Sequence, residues 1–221
     1  MELQGKTVYF LGDSITEGYG TSDFEGQQRK RFSSLMEDRY GIKAVNFGVC
    51  GSRIARQQKR TEVRSDRDFC LRVDDMPEGA DAIVVFGGTN DFGHGTAFIG
   101  QTSDRTPYTF YGACHTLMKS LIEKFPEAVI LILTPLHRLL EDNPRGDGSK
   151  TWESRSLKEY VDIIREVAEY YSLPVLDLFA SSGMQPKVPV IQKLYIPDGL
   201  HPNDRGHEKL AERIARALEQ L

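Results

Sequence analysis

The sequence predicts an α/β chain, a three-layer α/β/α sandwich around a doubly wound parallel sheet of five strands. Three observations predict it. Five apolar, β-branched runs are spread along 221 residues. Each run is continuous rather than alternating, which suits strands buried on both faces of a parallel sheet. Amphipathic stretches separate the runs, and strands alternating with helices give a doubly wound sandwich with right-handed crossovers.

The runs are Thr7 to Phe10, Ala44 to Phe47, Ala82 to Phe86, Val129 to Leu133 and Val175 to Phe179. Between them, residues 111 to 125 place Leu117, Leu121 and Phe125 on one helical stripe. Residues 157 to 171 do the same with Leu157, Val161, Ile164 and Ala168, behind an S-x-x-E capping box at Ser156 and Glu159. A last helix follows Pro202-Asn203 and stripes Leu210, Ile214 and Leu218. No internal repeat or low-complexity tract interrupts the pattern, so residues 1–221 read as a single domain. Two long connections, Phe92 to Pro107 and Leu136 to Trp152, follow strands and should lie at the carboxyl edge of the sheet.

Composition narrows the function classes. With 39% hydrophobic and 27% charged residues, no window offers the roughly 20 apolar residues of a membrane span. A net charge of −4 argues against nucleic acid as the main partner. The basic stretch from Arg53 to Arg72 is interleaved with Glu62, Asp66 and Asp68 and reads as a solvated helix face or loop. Three cysteines, Cys50, Cys70 and Cys114, lack metal or disulfide spacing and read as small buried hydrophobes. The N-terminal stretch lacks a signal-peptide pattern, so the cytoplasm is the expected compartment.

Several strands end in a short polar group after a glycine: Gly12-Asp13-Ser14, Gly48-Val49-Cys50-Gly51-Ser52 and Gly87-Gly88-Thr89-Asn90-Asp91. In a parallel sheet these groups converge on one edge. Asp198-Gly199-Leu200-His201 adds a carboxylate and an imidazole just before the final helix. A hydroxyl, an imidazole, a carboxylate and several amides are what acyl transfer through a serine nucleophile requires. Ser14 needs a base to take its proton, and His201 is the histidine set beside a carboxylate at short spacing. Asp198 can accept from the imidazole Nδ1–H and leave Nε2 facing Ser14. The backbone N–H groups of Ser14 and Gly51 and the side-chain amide of Asn90 are the candidate oxyanion donors.

These blocks resemble those of the SGNH, or GDSL-type, hydrolases. Gly12-Asp13-Ser14-Ile15 looks like the family's first block, with Ile for the commoner Leu, and Asn46 through Gly51 is similar to the second. Gly87 through Asp91 fits the third, and Asp198 through His201 fits the fifth. The four matches stand in order from residue 12 to residue 203. The resemblance implies a flavodoxin-like sandwich that needs no cofactor. It implies Ser14 as nucleophile, His201 as base, Asp198 as its orienter, and Ser14, Gly51 and Asn90 as the oxyanion hole. Gly51 is preferred to Gly48 because it lies further past the strand.

The implied function is a serine esterase acting on a small-molecule acyl ester, of short or polar acyl type such as an acetylated carbohydrate. Lysophospholipase, thioesterase and acyltransferase chemistry use the same residues, and an inactive binding protein on the same fold is the non-enzyme alternative. Polar Arg138, Asp142, Arg145 and Asp147 on the second long loop favour the small polar ester. Asp13 suits a turn or supporting position beside the nucleophile. With Arg53, Phe92, His94 and His137 it completes the candidate substrate contacts. His115 and His207 fall inside helices and read as structural, and no histidine has metal-ligand spacing. Phe92, Phe98, Tyr108, Phe110 and Tyr111 read either as the lining of an acyl or sugar pocket or, as is commoner for aromatics near a helix start, as core. Oligomeric state is not written in the sequence.

Overall fold

The computed structural model describes residues 1–59, 61–150, 152 and 155–221. Five strands form one parallel sheet: β1 (Thr7–Gly12), β2 (Lys43–Gly48), β3 (Ala82–Phe86), β4 (Val129–Leu133) and β5 (Val175–Leu176), in the order β2-β1-β3-β4-β5. This is the doubly wound, flavodoxin-like order. The helices are α1 (Ser14–Glu17), α2 (Phe32–Tyr40), α3 (Phe69–Arg72), α4 (Thr89–Gly93), α5 (Phe110–Lys124), α6 (Leu157–Tyr170), α7 (Leu178–Ser181), α8 (Pro189–Tyr195) and α9 (Asp204–Glu219).

Strand side chains point alternately to the two faces, and both faces are covered. Tyr9, Leu11, Ile83, Val85, Ile130 and Ile132 pack with α3, α5 and α6 on one side. Phe10, Val84, Phe86, Leu131 and Leu133 pack with α2 and α9 on the other. That double burial is why the strands read as unbroken apolar runs. Phe10 and Phe32 meet edge to face at 5.6 Å, each fully buried, and burying such a ring is worth about 1.5–3 kcal/mol over exposing it.

Register positions the chemistry. Gly12 of β1 lies opposite both Gly48 of β2 and Phe86 of β3, so the polar groups that follow the three strands leave from one rung. Gly12 has no room for a side chain, since a Cβ there would lie 1.9 Å from Thr16 Oγ1. Arg72 ties the first two strand ends together, donating to Phe47 O at 2.5 Å, Gly12 O at 3.0 Å and Ser52 Oγ at 2.9 Å.

The structure corrects several expectations. At the two ends of the basic stretch, Arg53 is buried and ion-paired with Asp66 and Arg72 is buried and hydrogen-bonded, rather than solvated. The fifth strand stops at Leu176, because the Asp177 carboxylate accepts from Ala180 N and starts α7. Cys70 and Cys114 are buried, but Cys50 is half-exposed. Phe98 and Tyr108 are exposed instead of core, while Phe92 and Phe110 are buried as read. His115 and His207 are buried within α5 and α9, and His207 Nδ1 accepts from Phe32 N at 3.1 Å. The Ser156–Glu159 capping box is present at the start of α6.

Candidate active site

The segments that follow β1, β2, β3 and β4 and the loop before α9 meet at a cavity of about 280 Å³ lined by Ser14, Cys50, Gly51, Asn90, Arg138 and His201 among others. Each polar group arrives by a local device. Asp13 caps α1 by accepting from Ile15 N at 3.0 Å, which places Ser14 at the first helical position. Gly51 stands in the left-handed region at φ +73°, turning the chain after β2 toward Ser14. Asn90 lies in the first turn of α4, directly after β3.

His201 is held by Asp198. One carboxylate oxygen accepts from Leu200 N at 2.9 Å and His201 N at 2.7 Å, building the turn. The other lies 2.7 Å from His201 Nδ1. With a proton on Nδ1 donated to that carboxylate, Nε2 is left as an acceptor, and Ser14 Oγ lies 3.0 Å from it. Burial pushes the Asp198 carboxyl up, but hydrogen bonds from the His201 ring and from the His201 and Leu200 backbone outweigh it and hold its pKa at about 2. Asp198 is therefore an anion across the working pH range. Among the described residues, the backbone N–H groups of Ser14 and Gly51 donate to no other protein atom. Asn90 Nδ2 donates one N–H to Ser52 O at 3.0 Å and retains a second.

The chain matches the GDSL-like lipase/acylhydrolase family over residues 10–209. It belongs to that family. A solved chain 33% identical, covered to 99% while covering 100% of this chain, superposes with a TM-score of 0.84. A protein from Lactobacillus plantarum is 28% identical, with 99% of this chain and 98% of that one covered and a TM-score of 0.82. The fold is also that of a lipase/acylhydrolase from Enterococcus faecalis, 22% identical over 97% of this chain and 96% of that one, with a TM-score of 0.66. No curated protein matches the sequence. As a GDSL-like lipase/acylhydrolase, the chain is an ester-hydrolysing enzyme.

The remaining candidate contacts divide. Within this GDSL-like site, His94 lines the cavity together with Tyr19, Asp147 and Leu200. Asp13 is buried beneath Ser14, and burial raises its pKa to about 6 against the pull of the Ile15 hydrogen bond. It supports the turn and does not line the cavity. Arg53 is buried behind His94, paired with Asp66. Phe92 is fully buried against Tyr160, and His137 sits away from the cavity, bonded to Glu141 and packed on Phe179. Phe92 lies in α4 with its ring turned into the core, and the segment after β4 carries His137 away from the cavity.

Tyr19 and Cys50 are the cavity residues that sequence reasoning left out. Tyr19 packs its ring 4.5 Å from that of His201, a contact made across the fold that no local pattern signals. Cys50 was readable only as part of the second block. Burial, with Glu17 beside it, pushes its thiol up to about 12, so it is no nucleophile at neutral pH. Among the described residues, no group of three or more His, Cys, Asp or Glu side chains is arranged to hold a metal ion. No helix among them is long and apolar enough to cross a membrane.

Proposed function

We propose that this enzyme hydrolyses a short or polar acyl ester through an acyl-enzyme on Ser14. The observation that carries the reading is the hydrogen-bonded series from Ser14 Oγ to His201 Nε2 and from His201 Nδ1 to Asp198. Ser14 Oγ attacks the ester carbonyl as His201 Nε2 takes its proton. Asp198 stabilises the imidazolium that forms and keeps the ring in the orientation that faces Ser14. The carbonyl oxygen becomes an oxyanion among the N–H groups of Ser14, Gly51 and Asn90. His201 then protonates the leaving alkoxide, and water repeats the sequence on the acyl-enzyme.

The acyl preference rests on the cavity. At about 280 Å³ it is small, and a buried guanidinium from Arg138 and a carboxylate from Asp147 contribute to its lining. A long alkyl chain laid there would strip water from the exposed Asp147 carboxylate without replacing its hydrogen bonds. An acetyl group fits, and hydroxyls of a sugar can bond to both charged groups. Residues 1–221 act in this reading as one catalytic domain, consistent with α9 packing on α2 and the Arg39–Glu208 ion pair between them. Free thiols at Cys50, Cys70 and Cys114 suit a reducing cytoplasm.

The test is hydrolysis of p-nitrophenyl acetate, butyrate, octanoate and palmitate by wild type and by Ser14→Ala. We expect rates highest on acetate, falling with chain length, and lost in the variant. Equal rates for both proteins would remove Ser14 from the mechanism, and a preference for palmitate would overturn the acyl assignment.

A further inference from the structure

Behind Asn90 runs a second series of hydrogen bonds whose donor directions are forced. Arg53 Nη1 lies 2.9 Å from His94 Nδ1, and His94 Nε2 lies 3.2 Å from Asn90 Oδ1. A guanidinium has only donors, so Nδ1 must accept from it. The neutral ring then carries its single proton on Nε2 and donates to Oδ1. With Oδ1 so committed, the nitrogen of the Asn90 amide is the atom that donates to Ser52 O and keeps one N–H in reserve. Arg53 is fixed in turn by its ion pair with Asp66, which also accepts from Thr61 N and Thr61 Oγ1.

We infer that His94 is a positioning residue that orients the Asn90 amide toward the substrate oxygen, with Arg53 setting the tautomer of the His94 ring. The inference rests on the reading of Asn90 as an oxyanion donor. An amide is nearly symmetric in shape but opposite in polarity at its two ends. If it turned over, an oxygen lone pair would replace the N–H where negative charge develops. The His94 donor makes that orientation unfavourable, because Nε2–H would then face an NH₂ group. Burial, with Arg53 next to it, pushes the His94 pKa down to about 4, so the ring remains neutral as the series requires. The charged groups facing it are Arg53, Asp147, Arg138 and Lys150.

His94 also lines the cavity, so the experiment must separate positioning from substrate contact. Steady-state kinetics on p-nitrophenyl acetate would compare wild type, His94→Phe, His94→Gln, Asn90→Ala and the His94→Phe/Asn90→Ala double variant, with Ser14→Ala alongside. Loss of a whole oxyanion donor lowers kcat about 10²–10³-fold. We expect His94→Phe to lower kcat about 10–100-fold with KM within about twofold, below that ceiling. His94→Gln, whose Nε2 can reach the same acceptor, should recover most of the loss. In the Asn90→Ala background, His94→Phe should change kcat by less than about twofold, since its effect runs through Asn90. His94→Asn, too short to reach Oδ1, serves where the Phe variant does not fold.

A raised KM with kcat retained, or an undiminished loss in the Asn90→Ala background, would overturn the inference and make His94 a substrate contact. Ser14→Ala distinguishes the two levels of failure. Wild-type turnover in that variant would remove the serine mechanism itself. Turnover abolished there, with full kcat in His94→Phe, would remove only the positioning role.

Discussion

Asp198 does two jobs with two oxygens: one closes the turn that leads to His201, and the other faces the His201 ring. An asparagine there keeps an acceptor for the turn but presents N–H to Nδ1. The ring would then carry its proton on Nε2, where it cannot accept from Ser14. We predict that Asp198→Asn lowers kcat by about 10⁴ with its melting temperature nearly unchanged, read by steady-state kinetics beside a thermal melt. Asn90→Ala should lower kcat about 10²–10³-fold at similar KM, because in the proposed mechanism the amide acts where charge develops in the transition state. At this scale the sequence was informative: Ser14, Asn90, Asp198 and His201 each carry a distinctive residue type at a strand end or a tight turn. It marked His94 and Arg53 only as candidate substrate contacts; the hydrogen bond that joins them across 41 residues was not legible.

Helix α4 spans five residues, too few to be stable alone. The segment from Leu136 to Lys150 holds it. Arg138 Nη1 donates to Thr89 O at 3.2 Å, Lys150 Nζ to Asp91 O at 2.7 Å, and Asp147 N to Gly93 O at 2.9 Å. On the other side the buried Asp91 carboxylate accepts from Ile54 N and Ala55 N at 2.9 and 2.8 Å. Gly146 makes the approach possible, with φ +63° and no space for a Cβ, which would lie 2.2 Å from Gly93 O. Gly146→Ala should therefore displace the segment and lower kcat about tenfold, an estimate from the sensitivity of catalysis to small misplacements. Unchanged kinetics would show that this segment does not hold the Asn90 amide in place. The long loop was visible in the sequence as length and polarity; its grip on α4 was not, because the carbonyls it satisfies belong to another part of the chain. Helix α2 was also missed: Ser33 and Ser34 lie on its buried side, blurring the apolar stripe.

Across the whole molecule, the parallel sheet and its double-sided burial followed from the apolar runs, since those depend on the entire pattern rather than on one contact, while the flavodoxin-like strand order came only with the family resemblance. Polar networks between elements did not follow, and Glu141 is an example. Burial pushes its carboxyl up, but bonds from His137, Lys187 and Arg138 N outweigh burial and hold its pKa at about 2, below its ordinary 4.5. A carboxyl depressed in the folded state contributes stability above its unfolded value and loses it as pH falls toward the folded one. Urea unfolding should show that contribution, about 3 kcal/mol before solvent screening reduces it, vanish between pH 4.5 and 2 in wild type and be missing at every pH in Glu141→Gln. A parallel pH dependence in the two proteins would remove Glu141 as its source. The central claim, that this fold brings one serine to an ester carbonyl as a nucleophile, is tested most directly by trapping the acyl-enzyme. Acid quenching during turnover of p-nitrophenyl acetate, followed by peptide mass mapping, should find one acetyl group on Ser14 and none in Ser14→Ala. An acetyl group on another residue, or active turnover with Ser14 never modified, would contradict the account.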